Sequence, residues 1–412
     1  MTLGAAELHR IHRRGQLVLI AGQALAGVGM GGTFSAGALL VTQVSGSEAL
    51  SGMAATGTTV GAALAAIPLA RLARRSGRAP SLATGALVAA AGAGVGLLAA
   101  VLNSFPLLLV GLVMVGVGTA VNLQSRFAAT DLSEPGTRGR DLAFVVWATT
   151  IGAILGPNLI KPGDTLGQAI GLPPLAGPFL FTIAAQVLAA SIYFFLLRPD
   201  PLKLAEKIAR ERPVDANALL DVPRADRNGV VTGMLALGLS HATMVSIMSM
   251  TPVHLVDRGA TLEIVGLTIS LHVAGMFALS PVFGWLSDRV GRERVIALGQ
   301  AVLLAALALV FVGAENNGVV MVALILLGVG WSAATVAGSA LVAESADPLR
   351  RTVIQGRADL VMSGSGAIGG ALAGPALAAL RYEGLALVAT SLVATVLVAL
   401  AFRTARRARQ VA

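Results

Sequence analysis

The sequence predicts an all-α membrane protein with twelve transmembrane helices, and three observations support this fold class. Hydrophobic residues fill 55% of the 412 positions and charged residues only 12%, about half the charged share of a typical soluble domain. Apolar runs of about 20 residues, the length of a helix that spans a bilayer, recur along the whole chain. The basic residues fall mostly between these runs. The chain is therefore predicted to be a multi-pass membrane protein.

Twelve apolar runs form the predicted spans. In the first half they lie at 16–44, 50–70, 81–102, 106–130, 141–160 and 176–197. In the second half they lie at 229–256, 262–286, 295–313, 318–343, 353–380 and 384–402. Each run is continuously apolar rather than alternating, and at this length it favours a helix over a strand. The 49 glycines suit this class, because small residues let membrane helices pack closely.

The longest polar segment, 198–228, divides the spans six and six. It is charged and bounded by prolines, so we expect a cytoplasmic linker between two six-helix bundles, at 1–197 and 229–412. Inside the linker, a short amphipathic helix around Leu202–Arg210 on the membrane surface is one expectation. A solvated segment with a single helical turn is the other.

The distribution of basic residues predicts the orientation. Most of the 30 lysines and arginines fall in the termini, the linker and alternate loops, whereas Lys161, Arg258 and Arg381 fall in loops on the opposite side. Basic residues are enriched on the cytoplasmic side, so both termini are predicted to be cytoplasmic, in an inner or plasma membrane. The net charge of +9 thus follows from topology and argues against nucleic-acid binding. The absence of cysteine excludes disulfides and thiolate metal sites.

The two halves repeat one another. "RSGR" at 75–78 recurs as "RVGR" at 289–292, and "IGAILGP" at 151–157 recurs as "IGGALAGP" at 368–375. These matches keep the same order at a separation near half the chain length, which indicates duplication of a six-helix unit. Repeats of this kind are a transporter architecture.

Two of these stretches resemble known motifs. "GWLSDRVGR" at 284–292 resembles the G-x-x-x-D-R-x-G-R loop signature of the major facilitator superfamily. "IGAILGP" resembles the G-x-x-x-G-P antiporter motif of that superfamily's drug–proton exporters. The resemblance covers the whole chain and implies the major facilitator fold, with two pseudo-symmetric six-helix bundles and alternating access. Two positions depart from the pattern: Arg74 stands where the first loop copy usually has Asp, and Leu112 stands where exporters often have Arg.

The resemblance implies a conformational latch, in which Asp288 contacts the start of the fifth span near Arg140–Asp141. A carboxylate there meets free N–H groups and the positive end of the helix dipole. The alternative is that these loop charges serve orientation alone. Because Arg74 replaces the acid in the first half, we expect Asp288→Asn to shift the conformational balance more than any single change in 70–78. The predicted latch residues are Asp288, Arg289, Gly284, Gly291 and Arg292.

The antiporter-type motif consists of Gly152, Gly156 and Pro157. These residues remove side chains and one backbone donor, so we expect a closely packed, kinked helix interface that limits ion leak between the halves. Ordinary small-residue packing is the alternative.

Ionisable residues inside spans are functional candidates, because burying them in a membrane is costly. Asp359, about 9 Å into the eleventh span at 1.5 Å per residue, is the predicted proton carrier. Arg126 and Arg357 are the other proton-coupling candidates. The alternative is a structural salt bridge between Asp359 and one of these arginines, and Arg126 could equally meet an anionic substrate.

Two histidines lie near the middle of predicted spans, His241 and His272. His241 shares a helix face with Met244 and Met248, which favours a polarisable wall for apolar substrates over a His/Met transition-metal site. A hydrogen-bonded packing role is the alternative for each histidine. The resemblance implies that the first, fourth, seventh and tenth spans line a central cavity. The further residues that could line this cavity are Gln23, Asn122, Gln124, Trp331 and Thr335.

The sequence lacks a phosphate-binding loop, a nucleophile triad and a zinc signature, which argues against an ATP-driven pump or an enzyme, and no cofactor is expected. The prediction is a monomeric secondary transporter in the lipid bilayer that works by alternating access. It would export small hydrophobic or drug-like compounds in exchange for protons. The alternatives are transport of a transition metal, a metal chelate or an organic anion, and a non-transporting membrane sensor or scaffold.

Overall fold

The computed structural model describes residues 4–46, 50, 53–134, 136–211, 226–348 and 350–411. Within these ranges most residues are helical. This is the expected outcome for long apolar runs, because a helix satisfies every backbone polar group without water.

The first half forms a helix for each predicted span and one short additional helix. In order these are α1 (Ala5–Ser45), α2 (Met53–Ser76), α3 (Arg78–Val101), α4 (Phe105–Ala128), α5 (Arg138–Asn158), α6 (Ile160–Ala169) and α7 (Pro178–Ser191). α7 continues as a π-helical turn at Ile192–Leu196. α1 begins well before the predicted span, and its polar start contacts α5, where His12 Nε2 lies 2.9 Å from Asp141 Oδ2.

The described part of the linker contains α8 (Pro201–Glu211). This helix confirms the one expected around Leu202–Arg210, and Leu202 and Leu204 on it are buried. Residues 212–225 of the predicted linker lie outside the described residues.

Asp200 fastens α8 to the first half. One carboxylate oxygen caps α8 by accepting hydrogen bonds from the backbone N–H groups of Leu202 and Lys203, at 3.1 and 3.2 Å. The other oxygen accepts from the Ala79 N–H at the start of α3, at 2.8 Å. The Lys203 ammonium also donates to the Arg74 carbonyl oxygen at the end of α2. A single acid thus caps two helices at once.

The second half consists of α9 (Arg227–Asp257), α10 (Leu262–Phe277), α11 (Ser280–Val290), α12 (Arg292–Gly313), α13 (Asn317–Ser345) and α14 (Arg351–Val411). The eighth predicted span is divided into α10 and α11. α14 contains the last two predicted spans, and its helical backbone is interrupted at Arg381, where φ is +62°.

In the described part of the chain, nine helical segments are long and apolar enough to cross a membrane. One of them, Arg351–Ala405, contains two predicted spans, and α1 and α5 correspond to two more. The helices therefore follow the twelve predicted spans in order, in the expected all-α architecture.

Two interfaces join the halves, and they occupy equivalent positions in the repeat. Among the described residues, α5 packs against α11 and α10 through a buried cluster that includes Leu142, Ala143 and Phe283. On the other side α14 packs against α2, where a Cβ added to Gly356 would lie 2.3 Å from the Cβ of Ala70. These two interfaces position the candidate site.

Candidate functional site

Ion pairs within each half cluster at the end of the molecule where α1, α5, α9 and α12 begin and α14 ends, here called the termini end. Arg403, near the end of α14, pairs with Asp226 and Glu293 at the starts of α9 and α12. His12 of α1 pairs with Asp141 at the start of α5. The loop α11–α12 and the start of α5 meet at this same end.

The predicted contact between Asp288 and the start of α5 is present. Asp288 Oδ1 accepts a hydrogen bond from the Gly139 N–H at 2.9 Å, and Oδ2 accepts from the Arg140 N–H at 2.7 Å. These N–H groups have no partner within their own helix, and the helix dipole attracts the carboxylate. Arg292 also bonds Asp288, and it pairs with Glu344 at 3.2 Å.

Glycines allow the backbones to meet at this interface. A Cβ at Gly284 would lie 2.5 Å from the carbonyl oxygen of Gly139, too close for any side chain. Gly291 has φ of +98°, a conformation that glycine adopts readily, and it turns the chain into α12. Arg289 is a correction to the predicted latch: it is exposed and its guanidinium lies 4.6 Å from the centre of the Trp285 ring, away from α5.

The equivalent interface in the first half carries a cross-half bond that the sequence did not predict. Arg78 is fully buried and donates to both oxygens of Asp131, at 2.7 and 3.1 Å. Its Nη2 also donates to Gln355 Oε1 of α14 at 2.6 Å. This side therefore carries a cross-half hydrogen bond although Arg74 stands where the loop signature usually has Asp. The repeated "RSGR" includes Arg78, but nothing in the sequence indicated Gln355.

A buried ion pair joins the halves next to these interfaces. Arg126 Nη2 of α4 lies 2.7 Å from Asp359 Oδ1 of α14, and the two side chains are 2% and 0% exposed. The guanidinium also contacts the Met362 sulfur, and its centre lies 4.9 Å from the Phe127 ring centre. Asp359 Oδ2 and Arg126 Nε have no hydrogen-bond partner among the residues that the structure describes. Arg357 is exposed and does not take part in this pair.

The antiporter-type motif packs within the first half. A Cβ at Gly152 would lie 2.2 Å from the carbonyl carbon of Gly27 in α1, so this glycine brings α5 and α1 together. Gly156 is buried, and the side chain of Pro157 lies outside the described residues. The close contact of Gly152 is thus inside one bundle and not between the halves, which corrects the expected position.

An aromatic cluster forms in the second half. Trp331 Nε1 of α13 donates to His241 Nδ1 of α9 at 3.0 Å, and the Phe277 ring of α10 meets the Trp331 ring edge-on at 5.8 Å. Met248 is half-buried against the hydrophobic core of this half, and Met244 lies inside that core at 2% exposure. Met244 lies in the same core as Trp331, the hydrogen-bond partner of His241, and the substrate wall expected around His241 stays a prediction.

The second histidine, His272, is fully buried, and its Nδ1–H donates to the Leu324 carbonyl oxygen at 2.7 Å. This is the packing role that the sequence left open. Across the described ranges no group of three or more His, Cys, Asp or Glu residues is placed to hold a metal ion. The metal-site alternative for His241 and His272 gains no support.

The remaining polar candidates hold helices together. Gln23 donates to Thr149 Oγ1 at 3.1 Å, and Gln124 donates to the Ala66 carbonyl oxygen at 3.0 Å. Both amides are buried within the first half. Asn122 is half-buried. Thr335 is buried, with a hydroxyl that has no partner.

Comparison with known proteins identifies the family. The Major Facilitator Superfamily model matches residues 19–261 and 233–411. The chain is 38% identical over 379 residues to the uncharacterized MFS-type transporter YddS of Bacillus subtilis, covering 91% of this chain and 87% of YddS. It is 31% identical over 376 residues to the riboflavin transporter RfnT of Brucella anthropi, covering 90% and 91%.

The fold is also similar to that of solved transporters. The crystal structure of the human organic anion transporter MFSD10 superposes with a TM-score of 0.70 at 17% identity, over 94% of this chain and 99% of that one. The helices, the repeat and these sequence matches together show that the chain belongs to the Major Facilitator Superfamily and is a membrane transporter of that type.

Proposed function

We propose that this transporter couples the export of small, largely apolar compounds to protons, by alternating access. The observation that carries the proposal is the ion pair of Arg126 and Asp359, which joins the two halves and is buried. Buried charges in membrane proteins are costly and mark functional sites by default. The second carboxylate oxygen of Asp359 has no partner, so a proton can be added there without displacing another bond.

Protonation of Asp359 couples to conformation through this pair. A neutral Asp359 no longer attracts Arg126, which weakens one contact that holds the termini end closed. A proton on Asp359 therefore favours the conformation open at that end, and its release favours closure. With the termini end in the cytoplasm, Asp359 takes up a proton from the opposite side while the termini end is closed, and this favours opening at the termini end. The proton is then released into the cytoplasm, substrate binds the open form that has lost its proton, and closure carries the substrate to the opposite side. Protons therefore enter as substrate leaves.

The aromatic cluster favours a second candidate substrate class. Trp331, His241 and Phe277 come from three helices of the second half, and Trp331 is held by the hydrogen bond to His241. Stacked and edge-on aromatic contacts suit flat heteroaromatic compounds. The relative RfnT is a riboflavin transporter, and riboflavin is a compound of that kind. Transport of flavin-like compounds is therefore the second candidate.

The test is flux through purified protein in liposomes that enclose a pH-sensitive dye. Chloramphenicol, a small neutral compound without a heteroaromatic ring, serves as the drug-like probe and riboflavin as the heteroaromatic one. We expect the wild type to move protons when one probe is added, and Asp359→Asn to lose this proton movement while still exchanging probe across the membrane. Asp257→Asn, the same change at an exposed position, is the matched control and should behave as wild type. Undiminished proton movement in Asp359→Asn would refute the coupling role.

The variant Trp331→Leu distinguishes the two candidate substrate classes. Loss of riboflavin exchange with chloramphenicol exchange retained supports the flavin-like class. Retained riboflavin exchange with loss of exchange of the other probe supports the apolar class. If the wild type moves neither probe, organic anions and metal chelates are the classes to test next.

A further inference from the structure

A surface groove lies between α3 and the end of α7, outside the interfaces that join the halves. Its volume is about 300 Å³, and its walls include Thr84, Leu87, Ser191, Phe194 and Phe195. Both walls belong to segments long and apolar enough to cross a membrane. Because Leu87 and Phe195 are 52% and 67% exposed, the groove opens outward, where a membrane-spanning chain faces lipid.

The π-helical turn shapes one wall of the groove. The rings of Phe194 and Phe195 lie in this turn, edge-to-face with centres 5.1 Å apart. A π-helical turn adds a residue to the helix and is often found at functional sites. Both phenylalanines of this turn lie on the exposed surface.

The positively charged side chain of Arg198 lies at the end of the groove that is nearest the termini end of the molecule. The Arg198 guanidinium sits 5.4 Å from the Phe194 ring centre, and its Nε donates to the Phe194 carbonyl oxygen at 3.2 Å. In the described part of the chain no acidic side chain pairs with Arg198. Arg74 and Arg75 are exposed at the nearby end of α2, where Lys203 contacts the Arg74 carbonyl oxygen. Two acids lie at the same corner: Asp200 caps the starts of α3 and α8, and Glu206 pairs with Lys203 at 3.2 Å. Because the basic side chains outnumber these acids, the corner combines an apolar groove with net positive charge.

We propose that this groove binds an anionic phospholipid. One acyl chain lies against Leu87 and Phe194, and the headgroup phosphate accepts hydrogen bonds from the terminal N–H groups of Arg198. Both parts of the ligand are matched, since the walls are apolar where the acyl chain runs and cationic at the level of the headgroup. Basic residues beside the membrane surface attract anionic lipids in this way. The site is separate from Arg126 and Asp359, so its failure leaves the proposed transport mechanism untouched.

Native mass spectrometry of the full chain tests the site, with lipid supplied as an equimolar mixture of phosphatidylglycerol and phosphatidylcholine. We expect wild type to retain phosphatidylglycerol preferentially, and Arg198→Gln to retain about fivefold less of it, the effect of one basic residue at an anionic membrane surface. Arg289→Gln is the matched control, because Arg289 also lies over an aromatic ring at the termini end but outside the groove. It should retain phosphatidylglycerol as wild type does.

A second variant tests the acyl-chain part of the site. Thr84 is exposed and lines the groove, so Thr84→Trp fills the groove without entering the core. We expect it to lower retention of phosphatidylglycerol, with the elution volume of the folded protein unchanged. Equal retention in Arg198→Gln and Arg289→Gln, or full retention in Thr84→Trp, would overturn the proposal. Displacement of the lipid by equimolar glycerol phosphate would also overturn it, because the site would then recognise phosphate alone.

Discussion

The two interfaces at the termini end are equivalent in the repeat but are held by different bonds. Between α5 and α11, a carboxylate of one half binds backbone N–H groups of the other. Beside the contact of α2 with α14, Arg78 at the start of α3 binds the side-chain amide of Gln355 in the other half. Within each half the pairing is the same: Arg78 with Asp131, and Arg292 with Glu344. The duplicated unit thus kept its internal ion pair while its contact with the other half changed.

Burial also separates the two interfaces. The side chains of Arg78 and Asp131 are each 1% exposed, whereas Glu344 is 45% exposed. Charges out of water depend strongly on their partners, and exposed pairs contribute little. The first-half interface is therefore expected to be the more sensitive one, although it lacks the acid of the loop signature.

The largest expected effect comes from Arg78→Gln. The change leaves Asp131 buried without a cation, which costs about 3–5 kcal/mol of stability. Denaturant unfolding in detergent micelles measures it. The double variant Arg78→Gln/Asp131→Asn is the control and should recover most of the loss. Equal losses in the single and double variants would show that burial of the unpaired acid is not the cause. The expectation that Asp288→Asn shifts the conformational balance more than any single change in 70–78 concerns a different quantity and stays a prediction.

Asp288→Asn is expected to rank next, through conformation rather than folding. It removes the charge that faces the start of α5 and weakens two hydrogen bonds, a loss of ~2 kcal/mol that shifts the balance roughly 30-fold toward the form open at the termini end. Spin-label distances between α5 and α11 report the shift, and the chain has no native cysteine to interfere with labelling. Arg289→Gln should leave the distance distribution as in wild type. An unchanged distance distribution in Asp288→Asn would show that Asp288 does not hold this interface closed.

Gln355→Leu should produce a smaller shift of the same sign. One hydrogen bond of Arg78 is lost while the ion pair with Asp131 stays, so about 1 kcal/mol is expected, which is roughly a fivefold change in the balance. Spin labels on α2 and α14 measure it. A shift as large as that of Asp288→Asn would mean that the two interfaces contribute equally to closure.

Arg74→Ala should have the smallest effect. The side chain is exposed at the end of α2, and only its backbone carbonyl oxygen is engaged, by Lys203. Labels on α2 and α14 should therefore give the wild-type distances. A displacement comparable to that in Asp288→Asn would show that Arg74 itself closes this side.

The sequence predicted the features that depend on composition and on helix ends. Hydropathy gave the spans, and the loop signature gave the contact of Asp288 with the start of α5, because helix N-termini attract carboxylates wherever they lie. It did not predict that Arg78 reaches Gln355, or that Gly152 faces Gly27. Periodicity cannot orient a helix that is apolar on every side. Packing against neighbouring helices sets its rotation, and therefore which glycine or amide faces which partner.

Asp200 limits how much of the predicted linker can extend when the two halves move apart. Because this residue caps α3 and α8 together, α8 travels with the first half during any rigid-body movement. The tether that spans the two halves is then the segment from Glu211 to Asp226, about half of the predicted linker. Covalent geometry limits its end-to-end length to roughly 50 Å. Shortening this segment, rather than altering α8, is the way to restrict how far the halves swing apart.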